Sequence, residues 1–125
     1  YKWALFDRSP LTRWSVGRVT LLGDSCHPML PFMGQGAAQA IEDAASLKSC
    51  LSKFPNDVTA ALRLYEQLRL PRASHLQGMS ETNKTRFHMP DGQAQRERDA
   101  DMARGATDWS WAAIAWLYEH DAEAL

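Results

Sequence analysis

The sequence predicts an α/β fold that is mainly helical and contains one or two short strands. The run VTLL at 19–22 is apolar and rich in strand-forming residues, as is typical of a strand buried on both faces. From Gly34 to Leu51 apolar residues recur at helical spacing, and a second stripe of the same period begins at Val58. We therefore expect a short strand followed by long amphipathic helices.

Composition places the chain among ordinary globular domains. It has 125 residues, a formal net charge of -1 and 45% hydrophobic residues, so it offers no electrostatic footprint for nucleic acid or an anionic membrane. No apolar run approaches the roughly 20 residues of a membrane span. Cys26 and Cys50 lack a metal-type spacing, so reduced thiols in a cytoplasmic protein are expected, and a single disulfide is the alternative. Because the chain begins at Tyr1 rather than Met, we expect a fragment whose upstream part is missing.

Two strands are expected before residue 23. The first candidate is Trp3–Phe6, which is closed by Pro10 because proline cannot donate a hydrogen bond to a strand ladder. The second is the run at 19–22, which follows Gly17 and ends at Gly23.

Two long helices should follow. The stripe of the first consists of Ala37, Ala40, Ile41, Ala44, Leu47 and Leu51. Asp57 is a good N-cap for the second helix, and Pro71 should kink or end it. Residues beyond Pro71 keep a helical composition to about Phe87, so we interpret them as a continuation past the kink.

The last third of the chain has a different character. Residues 93–104 are highly charged with almost no apolar stripe, which predicts a solvated helix or a mobile segment. An apolar helix is expected at 109–118, where aromatic side chains either pack in a core or anchor a homodimer. We expect a first region at 1–53, which contains the loop with Gly23 and Asp24, and a helical region at 54–125 that packs on it.

Asp24 is the leading candidate for ligand binding. It follows the predicted strand, so its carboxylate is expected at the carboxyl edge of a sheet, where open α/β sheets bind ligands. A carboxylate accepts hydrogen bonds and suits hydroxyl donors such as a ribityl chain or a ribose. The small residues from Gly34 to Ala38 expose backbone amides at a positive helix end. Together these features predict a site for a polyhydroxylated or anionic cofactor, and the alternative for Asp24 is a loop or helix cap.

The loop between strand and helix is expected to be stiff. Pro28 and Pro31 restrict its backbone and remove two amide donors, so it forms a wall beside the helix start. The stretch at 34–39 is not a dinucleotide fingerprint, since the strand ends well before it and Gln39 stands where the fingerprint has Gly or Ala. The candidate cofactor-binding residues are Gly23, Asp24, Pro31, Gly34, Gln35, Gly36, Ala37 and Ala38. No catalytic residue and no metal ligand is predicted.

Other polar residues favour structural roles. Adjacent side chains diverge, so we interpret Ser25, Cys26 and His27 as scaffolding of the loop, with His27 as a hydrogen-bond donor that braces it. The remaining histidines lack metal-type spacing. Three arginines, Arg63, Arg69 and Arg72, share part of one helix surface. We interpret them as a solvated face with carboxylate partners, and an anion site is the alternative.

Several blocks of the sequence form one long motif. They are GRV at 17–19, LLGDSCHP at 21–28, Pro31, GQG at 34–36 and EDA at 42–44. This motif resembles the second flavin motif of the class A flavoprotein monooxygenases, which are aromatic hydroxylases that use FAD. Further matches are Tyr65, RLPRA at 69–73, HMPDG at 88–92 and WLYEHD at 116–121, and they look like the salicylate hydroxylase branch, especially its fungal members.

The resemblance implies a fragment of a para-hydroxybenzoate hydroxylase-like FAD-binding fold, equivalent to the C-terminal third of such an enzyme. It implies that Asp24 binds the ribityl hydroxyls of FAD, that the helix start at 34–38 faces the pyrimidine edge of the isoalloxazine, and that Pro31 lies against the ring. In such enzymes NADH or NADPH reduces the flavin, and dioxygen supplies the oxygen atom that enters a small aromatic acid. The alternatives are a flavoprotein reductase or dehydrogenase of the same fold, or a non-catalytic helical interaction module.

Overall fold

The computed structural model describes residues 1–105 and 111–125. Its strands are β1 (Ser15–Val16) and β2 (Val19–Thr20), and its helices are α1 (Gly36–Lys53), α2 (Val58–Phe87), α3 (Gln93–Ala103) and α4 (Trp111–Tyr118). Two short 3-10 turns lie between β2 and α1: the Gly-Asp turn (Gly23–Ser25) and the proline turn (Pro31–Met33). None of the helices among the described residues combines the length and the hydrophobicity that a membrane crossing needs.

The expected strand at 19–22 is shorter than predicted and is not buried. It covers Val19–Thr20, where it pairs antiparallel with β1 in a hairpin, and the side chain of Val19 is 69% exposed. A strand buried on both faces needs other elements packed on each face of its sheet, and in this two-stranded hairpin the face that carries Val19 is uncovered by the described residues. The prediction of a buried strand is therefore wrong for this chain.

The prediction of a strand at Trp3–Phe6 is also wrong. Residues 1–10 have no regular secondary structure and are exposed. A strand forms only where a neighbour accepts and donates its backbone hydrogen bonds, and none of the described residues pairs with this segment.

The first long helix is confirmed, but a different face is buried. It begins after Gly34, because Gly34 has a left-handed backbone (φ 64) and closes the proline turn by donating its N–H to Pro31 O at 3.0 Å. Of the predicted apolar stripe, Ile41 is 72% exposed and Ala44 is also exposed. The residues that α1 buries are Gln39, Asp43, Ser46 and Cys50. The inward face of α1 is therefore mainly polar.

The second helix follows the prediction closely. Asp57 Oδ1 accepts the N–H of Ala60 at 2.9 Å, which confirms the expected N-cap. The helix continues through Pro71 to Phe87. Proline removes one backbone hydrogen bond there, and burial of Ala73 and Leu76 just beyond it offsets the cost.

The core joins α2 to the hairpin and to α1. Its buried cluster consists of Trp14, Cys26, Cys50, Ala61, Tyr65 and Ala73. The hydroxyl of Tyr65 donates to Leu21 O at 3.2 Å, and Glu66 Oε2 accepts the N–H groups of Trp14 and Ser15 at 2.7 and 2.5 Å. Side chains of α2 thus hold the start of β1 and the exit of β2.

The chain divides into two compact units, Tyr1–Lys84 with Ala122–Leu125, and Thr85–Asp121. In the second unit α3 buries no residue, which agrees with a solvated helix, and in α4 Trp111 stacks on Tyr118 at 6.1 Å. Trp109, which the sequence analysis placed in the apolar helix, lies outside the described residues. The functional division between residues 53 and 54 stays a prediction.

Alanine at position 23 is expected to cost clearly more stability than alanine at position 17. Both glycines have left-handed backbones, so each substitution carries about 1–2 kcal/mol of backbone strain. A Cβ at position 23 would also lie 3.2 Å from the Cβ of Ala40 on α1, whereas one at position 17 meets nothing within 4 Å. Urea titrations of Gly23→Ala and Gly17→Ala measure the free energies of unfolding, and equal losses would contradict this close packing.

Candidate functional site

The Gly-Asp turn presents Asp24 to the surface. Ser25 Oγ accepts the N–H of Leu22 at 3.1 Å and donates to Leu22 O at 2.7 Å, and the N–H groups of Cys26 and His27 both donate to Gly23 O, at 2.9 and 3.0 Å. These local bonds fix the turn. Asp24 itself is exposed, and its carboxylate has no hydrogen bond to the described residues, so its oxygens are free to accept from a ligand.

The proline turn is held from behind by α2. Gln77 Nε2 donates to Pro28 O at 3.0 Å, Ser80 Oγ to Leu30 O at 2.5 Å and Asn83 Nδ2 to Phe32 O at 3.2 Å. These bonds agree with the stiff loop that the prolines predict. They leave Pro31 exposed at the surface.

The start of α1 has free amides and open space in front of it. The first backbone bond within the helix runs from Gln39 N–H to Gln35 O at 2.9 Å, so the amides of residues 36–38 precede it and need other partners. A Cβ on Gly34 would meet nothing within 4 Å, and a Cβ on Gly36 would meet only Met29 Cγ at 3.8 Å. This space and these donors suit a flat or anionic group.

Asp43 connects the Gly-Asp turn to both long helices. Its Oδ2 accepts the N–H of Gly23 at 3.0 Å and Nε2–H of His27 at 2.6 Å, and its Oδ1 accepts Nε–H of Arg69 at 2.8 Å. An ionised carboxylate only accepts, so His27 is the donor. The expectation that His27 braces the loop through a hydrogen bond is confirmed.

Arg69 continues this network along α1. Its Nη1 donates to Glu42 Oε2 at 2.6 Å and its Nη2 to Gln39 Oε1 at 2.6 Å. Arg72 forms a two-pronged pair with the same Glu42, at 2.8 and 2.9 Å. Two carboxylates and two guanidinium groups therefore balance each other in charge.

The burial of Arg69 and Asp43 corrects the interpretation made from the sequence. Carboxylate partners for Arg69 and Arg72 are confirmed, but a solvated face is wrong for Arg69, which is 1% exposed, and Asp43 is 0% exposed. Charged side chains are buried only when they are paired and hydrogen-bonded, a condition met here by both side chains. Sequence analysis missed this network as a part of the site.

Hydrogen bonds keep both carboxylates ionised. Burial works to raise the pKa of Asp43, but bonds from His27, Arg69 and the Gly23 amide outweigh it and hold the pKa below its ordinary value. Burial also works to raise the pKa of Glu42. The hydrogen bonds and positive charges of Arg72 and Arg69 outweigh it and hold that pKa below its ordinary value.

Cys26 is not a nucleophile in this fold. Its thiol is fully buried and donates to Gly23 O at 3.2 Å. Burial, and then the negative charge of Asp43, raise the pKa of Cys26 to about 12, so the reactive thiolate is scarce at neutral pH. Cys26 and Cys50 are both free thiols, as expected.

Cys26, His27 and Asp43 place one ligand-type atom each within 4.8 Å of one another. Asp43 already accepts from three donors, one of them the guanidinium of Arg69. The positive charge of Arg69 opposes a cation at the same point. We interpret this cluster as a hydrogen-bonded brace.

The structure places the predicted site residues on the Gly-Asp turn, the proline turn and the start of α1, all within the first unit. The Gly-Asp turn packs directly on α1, since Gly23 lies against Ala40 one turn from the helix start. Asp24, Pro31, Gly34 and Ala37 are exposed, Gly36 and Ala38 are half-buried, and Gly23 and Gln35 are buried. The two buried residues therefore shape the site through their backbone rather than through their side chains.

Comparison with known proteins identifies the family of this chain. The family model described as FAD binding domain matches residues 3–80. The chain belongs to the FAD-binding domain family. An exposed acid and the uncapped amides of a helix start are an acceptor and donor set that fits such a cofactor.

The relatives are monooxygenases by name. The chain is 47% identical over 124 residues to 3-amino-4-hydroxybenzoate 2-monooxygenase of Streptomyces platensis, covering 98% of this chain and 30% of that protein. It is 54% identical over 83 residues to 6-hydroxynicotinate 3-monooxygenase of Bordetella bronchiseptica, covering 66% of this chain and 22% of that protein. The crystal structure of FqzB matches with a TM-score of 0.79 and 35% identity, covering 96% of this chain and 27% of that one. The chain thus spans less than a third of these relatives' length.

Acid should weaken the fold through the buried carboxylates. A depressed native pKa contributes stability that is present above the unfolded values near 4 and is lost as pH falls through the native pKa. We expect the contribution of these two carboxylates to the free energy of unfolding to stay constant from pH 7 to about 5 and to fall steeply below about 4. Asp43→Asn should lower stability at pH 7 by about 3–5 kcal/mol, since it breaks a buried pair, and should flatten the acid slope. Urea titrations at several pH values test this, and parallel slopes for both proteins would contradict it.

Proposed function

We propose that this chain supplies one wall of the FAD site of a monooxygenase that hydroxylates a small aromatic acid with NADH or NADPH and dioxygen. The observation that carries the proposal is the packing of Gly23, next to the exposed Asp24, against Ala40 of α1, one turn from the uncapped start of that helix. The names of the relatives, which are monooxygenases of aromatic acids, favour the same substrate class.

Asp24 would accept hydrogen bonds from the ribityl hydroxyls of FAD. Its carboxylate is exposed and has no partner among the described residues, so binding does not require an existing bond to break. The Gly-Asp turn also holds its backbone in one arrangement through the bonds of Ser25 and Gly23. A fixed acceptor binds without the entropy cost of ordering a loop.

The amides at 36–38 would face the pyrimidine edge of the isoalloxazine. When bound, FAD supplies hydride acceptance and the activation of dioxygen, and the protein supplies placement and charge. A helix N-terminus stabilises a nearby negative charge by about 0.3–1 kcal/mol at an exposed site, and by more where water is excluded. Gly34, Gln35, Gly36, Ala37 and Ala38 would line this edge.

Pro31 would lie against the ring system. It is exposed and has no amide hydrogen, and the turn that carries it is bonded to Ser80 and Asn83 of α2. A proline on a fixed turn presents a small apolar surface without a competing donor.

The rest of the same enzyme would cover the apolar surface that this chain leaves exposed. The outward stripe of α1 includes Ile41, and the N-terminal segment exposes Trp3 and Phe6. Exposed apolar patches mark contact surfaces. The upstream part would also hold the remainder of FAD and most of the aromatic pocket. We further propose a cytoplasmic location, from the two free thiols.

Replacing Asp24 is expected to release FAD. In the longer protein that carries this chain, Asp24→Ala should raise the dissociation constant for FAD about 10- to 150-fold, the equivalent of one hydrogen bond to a charged group. Fluorescence of released flavin measures it. Asp91→Ala, another exposed aspartate, is the control and should bind FAD as the wild type does. Full retention of FAD by Asp24→Ala would contradict the role given to Asp24.

Oxygen transfer separates the proposed activity from a reductase of the same fold. The FAD-loaded protein should oxidise NADH or NADPH faster when an aromatic acid is present. With ¹⁸O-labelled dioxygen, the product should gain one labelled oxygen atom. Oxidation of the nicotinamide without a labelled product would favour the reductase.

A further inference from the structure

The two chain segments that flank Asp24 are bound to one buried carboxylate. Gly23, immediately before Asp24, donates its N–H to Asp43 Oδ2 at 3.0 Å, and His27, just after the turn, donates to the same oxygen at 2.6 Å. Asp24 is therefore clamped from both sides, while its own side chain stays free.

Asp43 is in turn fixed by α2. Its other oxygen accepts Nε–H of Arg69 at 2.8 Å, and the same guanidinium binds Gln39 Oε1 at 2.6 Å. The side chain of Gln39 reaches the helix cap through a long contact of 3.5 Å with Gln35 Oε1. Hydrogen bonds weaken steeply with length. The bonds from Asp43 to Gly23 and His27 are therefore stronger than the contact between the side chains of Gln39 and Gln35.

We propose that Asp43 and Arg69 are positioning residues for FAD, which set the place of the Asp24 carboxylate relative to the start of α1. This inference rests on the proposed function. Neither residue is exposed, so each would act through Asp24 and not by touching the cofactor.

Packing alone does not account for this pair. Apolar side chains of similar volume often stabilise a fold as well as a buried ion pair does. The chain nevertheless buries Gln39, Asp43 and Arg69 where α1 meets α2. Directional bonds allow one arrangement of the turn on the helix, whereas apolar contacts allow several.

The ring of His27 depends on Asp43 for its orientation. Its Nδ1 is buried and has no hydrogen-bond partner among the described residues, so Nε2 is its bonded end. Trp14 limits it only by ring contact, at a centroid distance of 5.5 Å. Loss of the Asp43 carboxylate would release the ring of His27 and with it the bond that ties the second flank of Asp24 to α1.

A double-mutant cycle on FAD affinity tests the inference. Asp43→Asn alone should raise the dissociation constant for FAD at least about tenfold. In the Asp24→Ala background the same change should have less than about a twofold effect, because residues that act through one another are not additive. A merely structural role would lower affinity equally in both backgrounds. Lys48→Gln, which breaks an exposed ion pair of α1 with Glu123, is the control and should not couple to Asp24.

A second pair of variants keeps the test valid if Asp43→Asn does not fold. His27→Gln retains a donor that can reach Asp43 and should keep FAD affinity within about threefold of wild type, whereas His27→Leu removes the donor and should lose about tenfold and couple to Asp24→Ala. Equal affinity of the two His27 variants would overturn the inference.

The outcomes separate the two proposals. The proposed site and the positioning role are both overturned if the wild-type protein does not bind FAD. They are also both overturned if Asp24→Ala leaves the affinity for FAD unchanged. A wild type that binds FAD through Asp24, but shows additive losses in the cycle, overturns only the positioning role. Non-additive losses together with rescue by His27→Gln support it.

Discussion

The buried pair of Asp43 and Arg69 is the constraint on which the rest of this structure depends. Two charges removed from water must be met by directional partners, since an unpaired one would cost several kcal/mol. Here those partners come from the Gly-Asp turn, from α1 and from α2. The need to satisfy them turns the polar face of α1 toward α2. One interaction thus fixes the rotation of a helix, the place of a turn and the approach of α2.

Elements with local signals could be predicted from the sequence. Asp57 caps α2 through its own neighbour Ala60, and Gly34 ends the proline turn through a bond to Pro31, so both features are encoded within a few residues. The strands could not be predicted in the same way. Whether Val19 is buried depends on which other segment pairs with it, and composition alone does not contain that information.

In the candidate site, too, the residues with local signals could be predicted and those that depend on distant partners could not. Asp24 and the glycines at the helix start belong to a continuous motif, and the sequence displays them directly. Asp43 and Arg69 are 26 residues apart, and each by itself has the residue type of a solvated face. A local signal did exist: Gln39, Asp43 and Ser46 repeat at helical spacing and end at Cys50. A polar stripe that runs into a cysteine, one of the residue types most often buried, favours an inward face.

Neither half of the proposed site could hold a cofactor alone. A helix end contributes about 0.3–1 kcal/mol and a carboxylate hydrogen bond about 1.5–3 kcal/mol, and each gain is small beside the cost of immobilising a ligand. The contributions become useful when both groups face one ligand without first being ordered. The clamp on Gly23 and His27 meets that requirement, because it fixes the backbone around Asp24 and leaves its oxygens unbonded. An apolar core could be as stable as this buried ion pair or more so. The buried charges instead fix the geometry of the exposed site next to them.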